Sequence, residues 1–233
     1  FNKAGYSAST FNIGNIGNWG LESVTSFTNM FSFSGRNATT WYIGDLSTWA
    51  PRNLSYLTSM FYYAGVNASE FNIGNIGSWD VSNVSSVISM FAYSGKNATT
   101  WYIGDLSTWN ISSKVTSMAS MFSYAGYNAT EFNIGDISGW DVSAVTTFGT
   151  TFYYSGYNAD VWNVGTLSTW NTSSATNMNS MFYYAGFNAS NITLNLTNWN
   201  VGSVTNMYCA FGLIGMEGTN NSFGDLSNWD VSN

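Results

Sequence analysis

The chain repeats itself, and nothing else about it restricts the fold as strongly. Anchored on one Trp, the series runs Trp19, Trp49, Trp79, Trp109, Trp140, Trp170, Trp199 and Trp229, with steps of 29 to 31 residues. The Phe of the Met-Phe pair gives a second series: Phe31, Phe61, Phe91, Phe122, Phe152, Phe182 and Phe211. Phe1 falls in the same slot, so repeats fill residues 1–233 without a separate domain. A period near 30 belongs to repeat architectures, in which each coil buries its apolar face only against the next. The expectation is one solenoid of about eight coils.

A second period overlies the first. Phe11-Asn-Ile-Gly-Asn-Ile-Gly recurs at Phe71 and Phe132. Trp41-Tyr-Ile-Gly-Asp-Leu-Ser recurs at Trp101 and, loosely, at Trp162. The unit copied is therefore a doublet of 60 residues.

Within one coil, the alternation in Trp41-Tyr42-Ile43 suits a short strand, broken by Gly44 and Asp45. Val24, Phe27 and Met30, like Val115, Met118 and Met121, recur every three residues, which predicts a short α- or 3₁₀-helix. The Ala-Gly-x-Asn-Ala turn, as in residues 64–68, suits positive φ. The coil reads as strand, turn, short helix, turn, in a leucine-rich-repeat-like solenoid. An all-β solenoid is the alternative.

Composition narrows the function. Charged residues are 7%, against roughly 25% in an ordinary soluble domain. Five Lys and Arg face twelve Asp and Glu, a net charge of −7, which excludes the basic face that nucleic acid requires. His is absent, so His catalysis and His ligation are excluded. One Cys excludes an internal disulfide framework. Asn, Ser, Thr and Gly interrupt every apolar run, so no membrane span is expected. A repeat copies one surface many times, where catalysis needs a unique constellation, so no enzyme is expected.

Each slot becomes a ladder when coils stack. Asn37, Asn67, Asn97, Asn128 and Asn188 sit in the Ala-Gly-x-Asn-Ala turn, whose first residue is Ser in the coils of Asn37 and Asn97, and head N-x-[ST] sequons, which makes them the candidate glycosylation sites. The simpler reading is a row of turn amides bonded along the stack. Tyr63, Tyr93, Tyr124, Tyr154 and Tyr184 form a second row, a candidate platform for sugars or proteins. The Trp and Met series read as core. A third row, running from Asn15 and Asp45 to Asp225, suits side chains that cap turns. No cofactor is expected, and structural Ca²⁺ is the one alternative these slots leave open.

Trp79-Asp-Val-Ser-Asn-Val-Ser-Ser-Val-Ile-Ser-Met-Phe91 and Trp199-Asn-Val-Gly-Ser-Val-Thr-Asn-Met207 resemble the repeat of the BspA-like leucine-rich-repeat surface proteins. The resemblance implies an extracellular or cell-surface solenoid for display or adhesion, with no catalytic residues. Neither end reads as a capped coil. The expected partners are therefore a longer parent chain or further copies stacked head to tail into a filament, with a host or glycan ligand as the other class. Low charge repeated in register is a liability for a free surface, so covering by sugar or by neighbouring copies is expected.

Overall fold

A computed structural model describes residues 1–232. Coils stack one on the next, so backbone hydrogen bonds join residues about 30 apart, as from Thr39 N–H to the Ser9 carbonyl (3.0 Å) and from Thr99 N–H to the Ser69 carbonyl (3.0 Å). One apolar core runs unbroken through the stack from Phe11 to Ile214.

The first wall is the strand wall. Six three-residue strands lie on it: β1 (Thr10–Asn12), β2 (Thr40–Tyr42), β3 (Glu70–Asn72), β4 (Thr100–Tyr102), β5 (Glu131–Asn133) and β6 (Val161–Asn163). Each buries its central aromatic and exposes the residues either side, as period-two geometry requires. Pairing is parallel and in register, with Phe11 opposite Trp41, Phe71 opposite Trp101 and Phe132 opposite Trp162. The strands form three pairs, β1–β2, β3–β4 and β5–β6. The pairs coincide with the sequence doublets. Thr193 and Ser222 continue the wall as an isolated bridge.

The helix expected after the anchor Trp is not formed. Its place is taken by a chain of turns that shares its hydrogen bonds with the next coil. Phe27, Asn29, Phe31 and Phe33 donate their N–H groups to Tyr56, Thr58, Met60 and Tyr62 of the following coil, at 2.7–3.0 Å. Between them, Met30, Ser32 and Ser34 close tight turns onto Phe27, Asn29 and Phe31. A helix needs every residue right-handed, whereas Asn29, Phe33 and Gly35 have φ of 56°, 56° and 48°. The spacing of three was real, but it came from successive turns. The opposite wall is thus also cross-coil, with bridges Ser26↔Tyr56↔Ser86 and Ser117↔Thr147↔Asn177↔Asn206. The fold is a repeat-type all-β solenoid. Among the described residues its only helical turns are 3₁₀, at Ile76–Ser78 and Ile137–Gly139, where the Asn75 and Asp136 side chains accept from the N–H groups of Gly77 and Ser138.

Identical slots at strand spacing stack identical rings. The fully buried Phe31, Phe61, Phe91, Phe122, Phe152 and Phe182 form a column with centroids 5.3–5.5 Å apart and planes within 10°. The anchor Trp series is equally deep from Trp49 to Trp199. Each indole N–H donates to the carbonyl of an Ile or Leu in the coil before, as in Trp49 to Ile16 (2.9 Å) and Trp109 to Ile76 (2.9 Å). Full burial of such a side chain contributes about 1.5–3 kcal/mol, so these columns dominate the cohesion of the stack.

Candidate functional site

The surface is organised as rows, and the first row is aromatic. Phe33, Tyr63, Tyr93, Tyr124, Tyr154 and Tyr184 are half-buried and stacked, with centroids 4.1–5.1 Å apart. All six have φ between 55° and 61°, a left-handed backbone that costs a non-glycine residue about 1–2 kcal/mol. Stacking and the cross-coil hydrogen bonds oppose that cost. Alongside runs a second row in which Tyr127, Tyr157 and Phe187 stack at 4.8 Å. Tyr62, Tyr153 and Tyr183 meet the first row edge-on. Sequence order scatters the cations, but the fold inserts two of them here. The Arg36 guanidinium lies over Tyr6 and Tyr63 (5.5 and 5.3 Å), and Lys96 Nζ over Tyr124 and Tyr127 (4.8 and 5.3 Å).

Packing so many phenols together disfavours their ionised forms. Burial, then the neighbouring phenols, pushes Tyr63 and Tyr154 up to about 12 and Tyr124 higher still. For ligand binding the stacking matters more. From Tyr63 to Tyr154 each ring presents its faces to its neighbours above and below, so face-on recognition of a sugar is not open along this stretch. Edges are what it offers.

The Asn row is a hydrogen-bonded ladder. Nδ2 of Asn97, Asn128, Asn158 and Asn188 donates to Oδ1 of the preceding rung, at 2.8, 3.5, 2.8 and 3.0 Å. Asn37, Asn67, Asn97 and Asn188 are exposed and Asn128 is half-buried. The sequon hydroxyls of Thr39, Ser69, Thr99, Thr130 and Ser190 donate to carbonyls of the coil before.

The acidic rows cap turns. Asp45, Asp105 and Asp136 accept from the N–H two residues on, and Asp80, Asp141 and Asp230 do the same in their own slot. Hydrogen bonds from Ser82 and Ser232 hold the Asp80 and Asp230 carboxyls below the usual range. Among the described residues no three His, Cys, Asp or Glu side chains gather as a metal site, and no helix is long and apolar enough to cross a membrane. Cys209 is half-buried at φ 52°, in the slot that holds Asn29 and Ser59 in other coils.

Two features escaped the sequence reading. The first explains the doublet. In Trp-type coils the indole N–H of Trp41, Trp101 and Trp162 donates to the buried hydroxyl of Ser34, Ser94 and Ser155 (3.1, 3.0 and 3.1 Å). The Phe-type coils carry Ala64 and Ala125 in that slot, because Phe71 and Phe132 have no N–H to satisfy. The signal was present as a Ser/Ala alternation seven residues before the Trp/Phe alternation.

The second is a series of clefts on the strand wall, one for each doublet. One of about 480 Å³ lies between Tyr42 and Tyr102, over Asn72 and beside Asp45 and Glu70. The next, about 440 Å³, is lined by Tyr102, Asp105, Glu131 and Asn133. A smaller one of about 260 Å³ follows by Asp160 and Asn163. The sequence hint was the Tyr that follows Trp41 and Trp101.

Stacked coils, ring columns and polar ladders define a tandem-repeat solenoid protein. The chain belongs to the family described as Mycoplasma protein of unknown function, DUF285, whose model matches in three overlapping stretches, residues 1–125, 66–185 and 157–233. Neither a curated protein nor a solved structure matches it.

Proposed function

We propose that the chain is a non-enzymatic, extracellular repeat scaffold of the BspA-like kind, displayed at a cell surface for adhesion and N-glycosylated on its Ala-Gly-x-Asn-Ala turns. One observation carries the reading. Polar and aromatic groups run in parallel rows down the whole stack, so one surface is offered many times along its length. Repetition of a modest contact raises avidity without any new chemistry. The exposed sequon turns support glycosylation, because a sugar added there projects away from the core. Such a coat also accounts for a surface kept in water with so few charges.

The test is made on the cells that produce the protein. Antibody labelling of unpermeabilised cells and removal by added protease are expected, with an intact mass above that of the bare chain. A chain protected from protease in intact cells would refute the display reading. A bare-chain mass would refute the glycan.

A further inference from the structure

We propose that the strand-wall clefts bind an extended, neutral polysaccharide. The proposal rests on the adhesive reading above and names what the scaffold adheres to. The argument begins with the rings. Tyr42 and Tyr102 are 44% and 45% exposed, and among the described residues neither packs against another ring. They differ in this from the stacked row at Tyr63 to Tyr154, whose faces are taken. A free ring face beside a polar floor suits the apolar C–H face of a pyranose while the hydroxyls of the sugar are satisfied at the edges.

The edges are already set. In the first cleft Glu70 Oε1 accepts from Asn72 Nδ2 (3.1 Å), and Asn72 Oδ1 accepts from Gly74 N–H (3.0 Å). In the second, Glu131, Asn133 and Gly135 repeat the arrangement at 3.0 and 3.1 Å. Asp45 and Asp105 each hold a turn N–H with Oδ1, at 2.8 Å, and among the described residues the second oxygen of each accepts no hydrogen bond. Acceptors therefore outnumber donors, which suits a ligand rich in hydroxyl groups. Glycines at 44 and 74, and at 104 and 135, leave the floor low.

Charge and spacing select the ligand. Carboxylates stand in both clefts and no Lys or Arg lines either, so an anionic glycan is repelled. The two Tyr stand two coils apart, roughly 9.6 Å at a strand spacing of about 4.8 Å. That is close to the disaccharide repeat of an extended β-linked hexose chain. A polymer of identical units matches a wall on which related clefts recur. A peptide would need that regularity in its own side chains.

The experiment uses the whole purified chain with cello-, chito- and manno-oligosaccharides of increasing length, read by calorimetry, and with insoluble cellulose and chitin in depletion assays. Binding to at least one neutral series is expected. Affinity should climb steeply once the oligosaccharide spans both clefts. Tyr42→Ala and Tyr102→Ala should each weaken it about tenfold, and Tyr42→Phe should retain most of it. The two tyrosines are exposed, so the Ala variants are expected to keep the parent circular dichroism. Tyr56→Ala, an exposed ring on the opposite wall, should have no effect. Absence of binding to every neutral series would overturn the proposal, as would binding that survives the double Tyr42→Ala, Tyr102→Ala change. Binding only of oligolysine, lost with Asp45→Asn and Asp105→Asn, would overturn it in favour of a basic peptide. Surface labelling of cells without polysaccharide binding would overturn this proposal and leave the display reading standing.

Discussion

Removing one oxygen atom, in Ser94→Ala, tests why the repeat comes in doublets. Ser94 is fully buried and its hydroxyl is the acceptor for the Trp101 indole N–H at 3.0 Å. The substitution leaves that N–H in the core with no partner, at a cost of about 1–3 kcal/mol. Trp101→Phe alone removes the N–H but strands the hydroxyl and opens space beside Phe71 and Phe132, whose rings flank Trp101 at 6.3 and 5.0 Å. The double variant converts the coil to the Phe type already present at Ala64/Phe71 and Ala125/Phe132. It carries the loss of ring volume without either orphaned group. The two changes should therefore couple favourably by about 1–2 kcal/mol, as groups sharing one bond do. For a chain of this size each kcal/mol moves the melting temperature by about 2–4 °C. Ser94→Ala should lower it by about 2–12 °C, and the double variant should melt well above the sum of the singles. Thermal melts of the four proteins, with hydrogen exchange at the coil concerned, make the measurement. Additivity within about 0.3–0.5 kcal/mol would refute the hydrogen bond as the cause of the alternation.

Four further outcomes are expected. Gly95→Ala should be severely destabilising, by about 2–5 kcal/mol, because φ is 48° and the added methyl would overlap Phe71. Gly139→Ala, with nothing within 4 Å and no positive φ, should raise the melting temperature by about 1–4 °C. Tyr63 and Tyr154 ionise near 12 when folded and near 10 when unfolded, so stability is whole below pH 10 and falls as pH rises toward 12. Denaturant midpoints across that window should drop with rising pH, and phenolate absorbance should appear in the native protein later than in the unfolded chain. A flat midpoint would refute the packed-phenol account. Trp49→Phe should cost about 2–4 kcal/mol in thermal melts, since it removes fully buried ring volume and leaves the Ile16 carbonyl without its indole partner.

Much of this protein could be read from its sequence, because a repeat turns each residue type into a statement about every coil. The period near 30 required stacking. The alternation at Trp41-Tyr42-Ile43 placed a strand, and the invariant Trp and Phe slots placed the core. The Asn and Tyr rows were legible as rows. What the sequence could not decide was the path of the chain between the anchor Trp and the Met-Phe pair. Apolar residues every three positions serve a helix and a run of turns equally well, and the choice depends on where the N–H groups find acceptors. In this fold the next coil supplies half of them, so Asn29, Ser59 and Ser89 take positive φ that local propensity would never assign. Exposure of the rings was decided at the same level. Tyr93 and Tyr102 lie nine residues apart in one coil, yet the first has its faces covered by Tyr63 and Tyr124 while the second stands free on the strand wall. Six successive coils, from Phe33 to Tyr184, carry Tyr or Phe in the first slot, so rings meet. The second slot separates Tyr42 from Tyr102 by Asn72 and continues with Asn133 and Asn163, so they do not. Sequence determined which residues share a row; only the stacking of coils decided which rows close on themselves and which face the solvent.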